Sequence, residues 1–122
     1  ISLDKYASFA DNVIVWEELQ YELVKVLRVN LQVYDVIARY TMTTLAVCLI
    51  ARDSQAAQMW AERIRREIAA TPVSVGNKQY SVTVSIGIAE YRKQSSCDDM
   101  FLCAERALDM ALRKANSVSV FS

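Results

Sequence analysis

The sequence contains no histidine and has only two glycines and one proline among its 122 residues. Histidine is the commonest general base and metal ligand in proteins, so other residues would have to take both roles. Because glycine supplies the backbone freedom of phosphate-binding loops, its scarcity excludes a glycine-rich phosphate cradle. Few glycines and prolines also favour long helices and strands joined by short loops.

Net charge and long apolar runs are absent as well. Fourteen basic and fourteen acidic residues cancel, so nothing general attracts nucleic acid or an anionic membrane. No apolar run approaches the ~20 residues of a membrane-spanning helix, and no signal-peptide pattern opens the chain. We expect one cytoplasmic domain over residues 1–122, with no nucleic acid and no membrane contact of its own. Its abrupt start favours a domain excised from a longer signalling protein, whose other parts could be membrane-anchored.

The three cysteines, Cys48, Cys97 and Cys103, have neither zinc-binding nor redox-motif spacing. We expect them to be buried or partly buried free thiols in a reducing cytoplasm.

Hydrophobic periodicity predicts a mixed α/β domain around one sheet. Apolar residues at helical spacing indicate an amphipathic helix over Trp16–Asn30, and strict alternation indicates one long strand over Gln79–Ala89. Two further helices are expected. The first, capped by Asp53 or Ser54, should bury an apolar stripe of Ala57, Trp60, Ala61, Ile64 and Ile68. The second, capped by Ser96, should bury a stripe of Phe101, Ala104, Leu108, Ala111 and Leu112. The other expected elements are a short helical segment over residues 4–11, paired strands over residues 36–40 and 45–50, a turn at Gly76-Asn77 and a last strand over Ser117–Phe121.

The central hairpin carries a family resemblance. Residues 39–47 read Arg-Tyr-Thr-Met-Thr-Thr-Leu-Ala-Val, and GGDEF domains read Arg-Tyr-Gly-Gly-Asp/Glu-Glu-Phe-Ala-Val at their hairpin. The stretches Leu3–Tyr6, Ala61–Arg65, Val82–Ala89 and Ala104–Leu108 also resemble family motifs. The chain is therefore similar to the diguanylate cyclases, which join two GTP molecules into cyclic di-GMP. This resemblance implies the nucleotidyl-cyclase-like fold, a mixed and mostly antiparallel sheet of about five strands with a ferredoxin-like core, flanked by helices.

The resemblance also implies that the metal site is lost. In the family, the first aspartate of an Asp-Ile-Asp motif and an acidic hairpin residue hold the divalent metal that phosphoryl transfer needs. Those positions are Ser2 and Thr43 here, with Thr44 where a glutamate follows. Neutral hydroxyls are poor ligands for hard cations. We therefore predict no bound metal, no cofactor and no catalytic residue, although Asp4 is retained.

Several nucleotide-binding positions are changed in the same way. Thr41 and Met42 replace the glycine pair that lets a nucleotide approach the backbone. By the same resemblance, Ala10 replaces a guanine-reading asparagine, Leu112 replaces a phosphate-binding lysine, and Asn116 lies where an arginine is lost.

The product-binding motif of many GGDEF domains, Arg-x-x-Asp, reads Gln32-Val33-Tyr34-Asp35 here. Because a neutral glutamine replaces the arginine, cyclic di-GMP binding is not expected.

Two main functions remain open from the sequence. The first is a catalytically inactive GGDEF domain that serves in dimerisation, signal relay or partner docking, with a protein partner or a second copy of itself. The second is a receptor domain that binds a nucleotide or cyclic di-GMP without cyclase activity. An active cyclase has the least support.

Four residues remain as candidates for binding a nucleotide, and each also has a structural explanation. Asp4 and Asp35 could cap turns, Glu17 could lie on a helix surface, and Arg39 could pair with a neighbouring carboxylate. Met42, at the hairpin tip, could fold over the vacated pocket, project towards a partner or be idle.

Overall fold

The computed structural model describes residues 1–4, 12–91 and 96–121, which form three helices and seven strands. In chain order these are β1 (Ser2–Leu3), α1 (Val13–Val29), β2 (Val36–Arg39), β3 (Leu45–Cys48), α2 (Ser54–Ala70), β4 (Val73–Val75), β5 (Lys78–Tyr80), β6 (Val84–Ile88), α3 (Cys97–Lys114) and β7 (Val118–Val120). The expected segment over residues 4–11 lies, beyond Asp4, outside the described residues, as does Ala10.

Each helix begins at a side chain that caps it. Asn12 accepts a hydrogen bond from the amide of Val15 at the start of α1, so this helix begins earlier than predicted. Asp53 caps α2, and Ser96 caps α3. These caps satisfy amides that the first helical turn leaves without partners.

The sheet is built outward from β1. On one side β1 runs antiparallel to β6, with Ser2 opposite Ser85, and β6 runs parallel to β7. On the other side, Ile1 N donates to Leu45 O and Leu45 N donates to Ile1 O, both at 2.8 Å. Since β2 pairs antiparallel with β3, the strand order is β2-β3-β1-β6-β7. This confirms the expected five-stranded, mostly antiparallel sheet.

Helices cover the two faces of this sheet. Large side chains of β6 point into a core formed with α1 and α2, in which Trp60, Ile64 and Val84 are buried. Small side chains of β6 point towards α3. A Cβ atom added at Gly87 would lie 2.2 Å from Leu108 N and 2.5 Å from Ala104 O, so only glycine lets α3 pack this closely.

The long strand predicted over Gln79–Ala89 is wrong, because it is two strands. Residues Lys78–Tyr80 form β5 and pair with β4 in a separate hairpin whose turn contains Gly76 at φ 62°. Residues Val84–Ile88 form β6 and belong to the main sheet. The chain changes partner between them: Tyr80 pairs with β4, whereas Thr83 O already accepts from the Asp4 amide next to β1.

Two predictions about burial are also wrong. In α3 the buried residues are Ala107, Leu108 and Ala111, whereas Phe101 and Leu112 are 40% and 38% exposed at the edge of the contact. Small side chains form the centre of this contact because α3 lies so close to β6.

The cysteines differ from expectation as well. Cys48 and Cys97 are exposed and only Cys103 is partly buried, although all three are free. Cys48 is the last residue of β3, and Cys97 is the first residue of α3.

Within the described ranges, no helix combines the length and the apolar character that crossing a bilayer would require.

Candidate functional site

The two strands that would carry the metal ligands meet at Ser2 and Thr44. The residues form an isolated antiparallel bridge, and their hydroxyl oxygens lie 3.0 Å apart. Ser2 is buried, and it lies opposite Ser85, whose hydroxyl reaches Ala111 O of α3. The pair is therefore on the α3 face of the sheet. The hydroxyls satisfy each other, which leaves no anionic ligand at this point.

Thr44, and not Thr43, faces Ser2. Leu45 is buried in the core on the opposite face, so alternation along the strand turns Thr44 towards Ser2. Thr43 belongs to the loop, where its amide donates to Thr41 Oγ1 at 3.2 Å.

The hairpin tip is closed by its own polar groups. The amides of Tyr40 and Thr41 both donate to Thr44 O, at 2.9 and 3.1 Å. Met42 projects outward and is 71% exposed. Of the three possibilities for Met42, folding back over the vacated pocket is therefore wrong.

Asp4 is a structural acceptor. It is buried, and its carboxylate accepts from Thr83 Oγ1 at 2.5 Å, from Ser85 Oγ at 2.6 Å and from the amide of Asn116 at 2.8 Å. It therefore joins β1 to β6 and to the turn after α3. Three donors already occupy this carboxylate, which is the arrangement of a structural anchor.

The turn after α3 has an unusual backbone. Ala115 has φ 63° and ψ 155°, and Asn116 has φ 46°. The first of these conformations is almost restricted to glycine. The Asn116 side chain accepts from Arg65 Nη1 at 3.0 Å. Leu112 lies on the last turns of α3, partly exposed.

Asp35 holds the turn before β2 together, which confirms it as a turn cap. Its carboxylate, which has no exposed surface, accepts from the amides of Gln32 at 2.9 Å and Ile50 at 3.0 Å and from Arg52 Nη2 at 2.9 Å. Burial alone would raise the pKa of Asp35, but the two amides and the Arg52 guanidinium outweigh it and hold that pKa below its ordinary value. Gln32 itself accepts from the hydroxyl of Tyr34 at 2.8 Å.

The other two candidates do not join a site. Glu17 is exposed on α1, as the structural explanation expects. Arg39 is exposed and makes no ion pair with any described residue, so the expected carboxylate partner is wrong. The structure also brings no three His, Cys, Asp or Glu side chains together as a metal site in the part of the chain that it describes.

One contact that sequence reasoning missed clamps the hairpin to α3. The Tyr40 hydroxyl donates to Glu105 Oε1 at 2.5 Å, and its ring stacks on Phe101 with centroids 5.4 Å apart. The hydrogen bond to Glu105 raises the pKa of Tyr40, and desolvation and nearby carboxylates act in the same direction. Since 65 residues separate the two partners, no spacing in the sequence signals this contact.

Comparisons with known proteins agree with the architecture. The chain matches the family described as "Diguanylate cyclase, GGDEF domain" over residues 15–117. No curated protein matches it significantly.

Solved structures are similar to nearly the whole chain. The GGDEF domain of DgcB from Caulobacter crescentus, solved with cyclic di-GMP, has a TM-score of 0.87 at 21% identity, covering 98% of this chain and 73% of that one. The FimX GGDEF domain from Pseudomonas aeruginosa has a TM-score of 0.87 at 22% identity, covering 96% and 75%. The diguanylate cyclase SiaD from Pseudomonas aeruginosa, solved with its activator SiaC, has a TM-score of 0.86 at 23% identity, covering 98% and 47%. These likenesses show a shared fold.

Proposed function

Because this chain belongs to the GGDEF domain family, we propose that it is a catalytically inactive member whose role is protein contact, in dimerisation, signal relay or partner docking. The observation that carries the proposal is the Ser2–Thr44 hydroxyl pair, 3.0 Å apart. The resemblance expects a metal-binding aspartate at Ser2, and at Thr44 the glutamate that follows the hairpin's metal-binding acid. Without anionic ligands, a divalent cation would gain too little to give up its water shell.

The remaining carboxylate supports the same conclusion. Asp4 accepts three hydrogen bonds within the fold, so recruiting it to a metal would leave buried donors unsatisfied. At the hairpin tip, Thr41 and Met42 add side chains where the resemblance has glycine. Neither change assists the approach of a triphosphate.

A contact role is supported by the surface of the hairpin. The side chains of Val33, Val36 and Met42 are 99%, 57% and 71% exposed. Val36 and Met42 lie on the hairpin, and Val33 lies in the turn before it, so all three side chains are available to a protein partner. Among the similar structures, SiaD was solved in complex with its activator SiaC, so a protein that contains this fold acts together with a protein partner.

The second candidate is a receptor for cyclic di-GMP, as the DgcB complex with that ligand suggests. Asp35 is retained from the product-binding motif, but its carboxylate is committed to Gln32, Ile50 and Arg52. The uncharged Gln32 removes the guanidinium that would fork onto phosphate or guanine. The inactive contact module is therefore the better supported function.

Two assays separate these functions. Purified domain incubated with GTP and Mg²⁺ or Mn²⁺ should form no cyclic di-GMP by chromatography, and product proportional to the domain would contradict the proposal. A thermal-shift screen with GTP, ATP and cyclic di-GMP should show no stabilisation. A shift with cyclic di-GMP alone would favour the receptor function.

A further inference from the structure

The strand β2 has a free edge. Among the described strands it pairs only with β3, so that Val36 lies opposite Cys48 and Arg39 lies opposite Leu45. The Tyr40 amide donates to Thr44 O, and backbone groups facing the same neighbour recur at every second residue. Ala38 therefore also faces β3. The N–H and C=O groups of Ile37 and Arg39 point the other way, along an edge that no described strand occupies.

The sequence around this edge is self-complementary. Residues 34–40 read Tyr-Asp-Val-Ile-Ala-Arg-Tyr. About Ile37, Tyr34 mirrors Tyr40, the small apolar Val36 mirrors Ala38, and the acidic Asp35 mirrors the basic Arg39. Asp35 and Arg39 are the only charged residues of this stretch, and they have opposite sign at equal distance from the centre.

Antiparallel pairing of two identical edges requires this symmetry. When residue 37 of each copy lies opposite residue 37 of the other, each Arg39 lies opposite an Asp35 and each Val36 opposite an Ala38. A two-fold interface uses the same patch on both copies, so it must be complementary to itself. The exposure of apolar side chains alone would not explain why residues of opposite charge lie at equal distances from Ile37.

The exposed side chains fit the same arrangement. Val36 is 57% exposed, Ala38 and Arg39 are exposed, and Tyr34 and Tyr40 are 50% and 45% exposed. Since the even-numbered residues share one face of the strand, these apolar and aromatic side chains would lie side by side across the new edge. Arg39, which has no ion-pair partner among the described residues, would lie opposite the Asp35 of the second copy, whose carboxylate is buried against Arg52.

We propose that a second copy of this chain pairs along the free edge of β2, antiparallel and centred on Ile37, so that two sheets become one. This names the partner within the proposed protein-contact role and rests on that role. Backbone hydrogen bonds at Ile37 and from the Arg39 amide to Asp35 O provide the attraction, as in strand addition generally. The Asp35 amide takes no part, because it already donates to Gln32 O at 3.0 Å. The Asp35 carboxylate already binds Arg52, so the partner's Arg39 adds charge complementarity and little new bonding.

Hydrogen exchange and sedimentation test the proposal together. Sedimentation velocity from micromolar to near-millimolar concentration should show a monomer–dimer equilibrium. Over the same range, the amides of Ile37 and Arg39 should become protected, while the Ala38 amide, which already faces β3, should be protected throughout. This internal control needs no mutation.

A charge reversal supplies the second arm. Arg39→Asp places like charges opposite each other at both symmetric positions and should weaken the dimer at least about tenfold. Because Arg39 has no described ion pair, the circular dichroism spectrum should be unchanged. The matched variant Arg63→Asp, at an exposed position of α2, should leave the dimer intact.

A chain that stays monomeric at every concentration would overturn the inference. So would a dimer that Arg39→Asp leaves unchanged, or protection of the two amides only on adding a different protein. None of these outcomes would restore catalysis, and cyclic di-GMP formation would overturn the proposed function whatever the oligomeric state. The two failures are thus distinguishable.

Discussion

The hydroxyl oxygens of Ser2 and Thr44 lie 3.0 Å apart between two antiparallel strands. Two carboxylates at such a distance would repel each other and would need a metal ion or a shared proton between them. Two hydroxyls need neither, because one donates to the other. The replacement of both acids therefore makes the strand pair stable without metal.

Carboxylates placed at positions 2 and 44 should make the free energy of unfolding depend on a divalent metal ion. We expect Ser2→Asp with Thr44→Glu to lower the free energy of unfolding by roughly 2 kcal/mol or more without divalent metal, because two carboxylates then share a buried site. Millimolar Mn²⁺ should recover part of the loss, measured by urea titration. The matched pair Ser2→Asp with Thr43→Glu should show a smaller metal response, since Thr43 belongs to the loop. Equal responses would show that Thr43 also reaches the site.

Rebuilding the hairpin alone should not create a cyclase. The variant carries the changes Thr41→Gly, Met42→Gly, Thr43→Asp, Thr44→Glu and Leu45→Phe. We expect no cyclic di-GMP from GTP and Mg²⁺, since Ser2 still lacks a carboxylate and Leu112 cannot neutralise phosphate. Catalytic groups that act as a unit are not recovered in parts. Turnover above the wild-type background would mean that the hairpin was the sole defect.

Glycine at position 115 should relieve the backbone strain in the turn after α3. Ala115 has φ 63° and ψ 155°, a backbone that costs a residue with a Cβ atom about 1 kcal/mol or more. Ala115→Gly should therefore raise the free energy of unfolding by about 1 kcal/mol. The same substitution at Ala69, exposed near the end of α2, should lower it by up to about 1 kcal/mol. Destabilisation by both changes would contradict the strained turn.

Acid should weaken the turn that Asp35 holds. Because its pKa is lower in the folded chain than its ordinary 3.8, this carboxylate contributes fully above that value and loses its contribution as the pH falls through the folded pKa. The urea midpoint should therefore drop below about pH 4. The Asp35→Asn variant should be less stable than the wild type at neutral pH, and its urea midpoint should change less as the pH falls. The Arg52→Gln variant should lie between the wild type and Asp35→Asn in both respects. An acid limb unchanged by Asp35→Asn would contradict this assignment.

Local patterns predicted local structure well. The stripe from Ala57 to Ile68 is buried as predicted, because helical spacing alone determines which face of α2 meets the core. The turn at Gly76 is likewise encoded by its own residues. The sheet of about five mostly antiparallel strands followed from the family resemblance rather than from periodicity.

Contacts between distant residues could not be predicted. Alternation along Gln79–Ala89 does not reveal that β5 and β6 pair with different strands. Whether Thr44 faces Ser2 depends on how the hairpin loop closes. Asp35 contacts Arg52, 17 residues further along the chain, only because the hairpin brings its two ends together. The altered positions are therefore visible in the sequence, whereas the partners that hold them are visible only in the fold.

Metal binding is the most direct test of the central claim. Electron paramagnetic resonance of Mn²⁺ with GTP distinguishes free Mn²⁺–GTP from Mn²⁺ held in a rigid protein site. We expect the spectrum to stay unchanged when equimolar domain is added, because Ser2 and Thr44 offer no anionic ligand. A saturable, stoichiometric broadening that Thr44→Val abolishes would show a working metal site and would contradict the account.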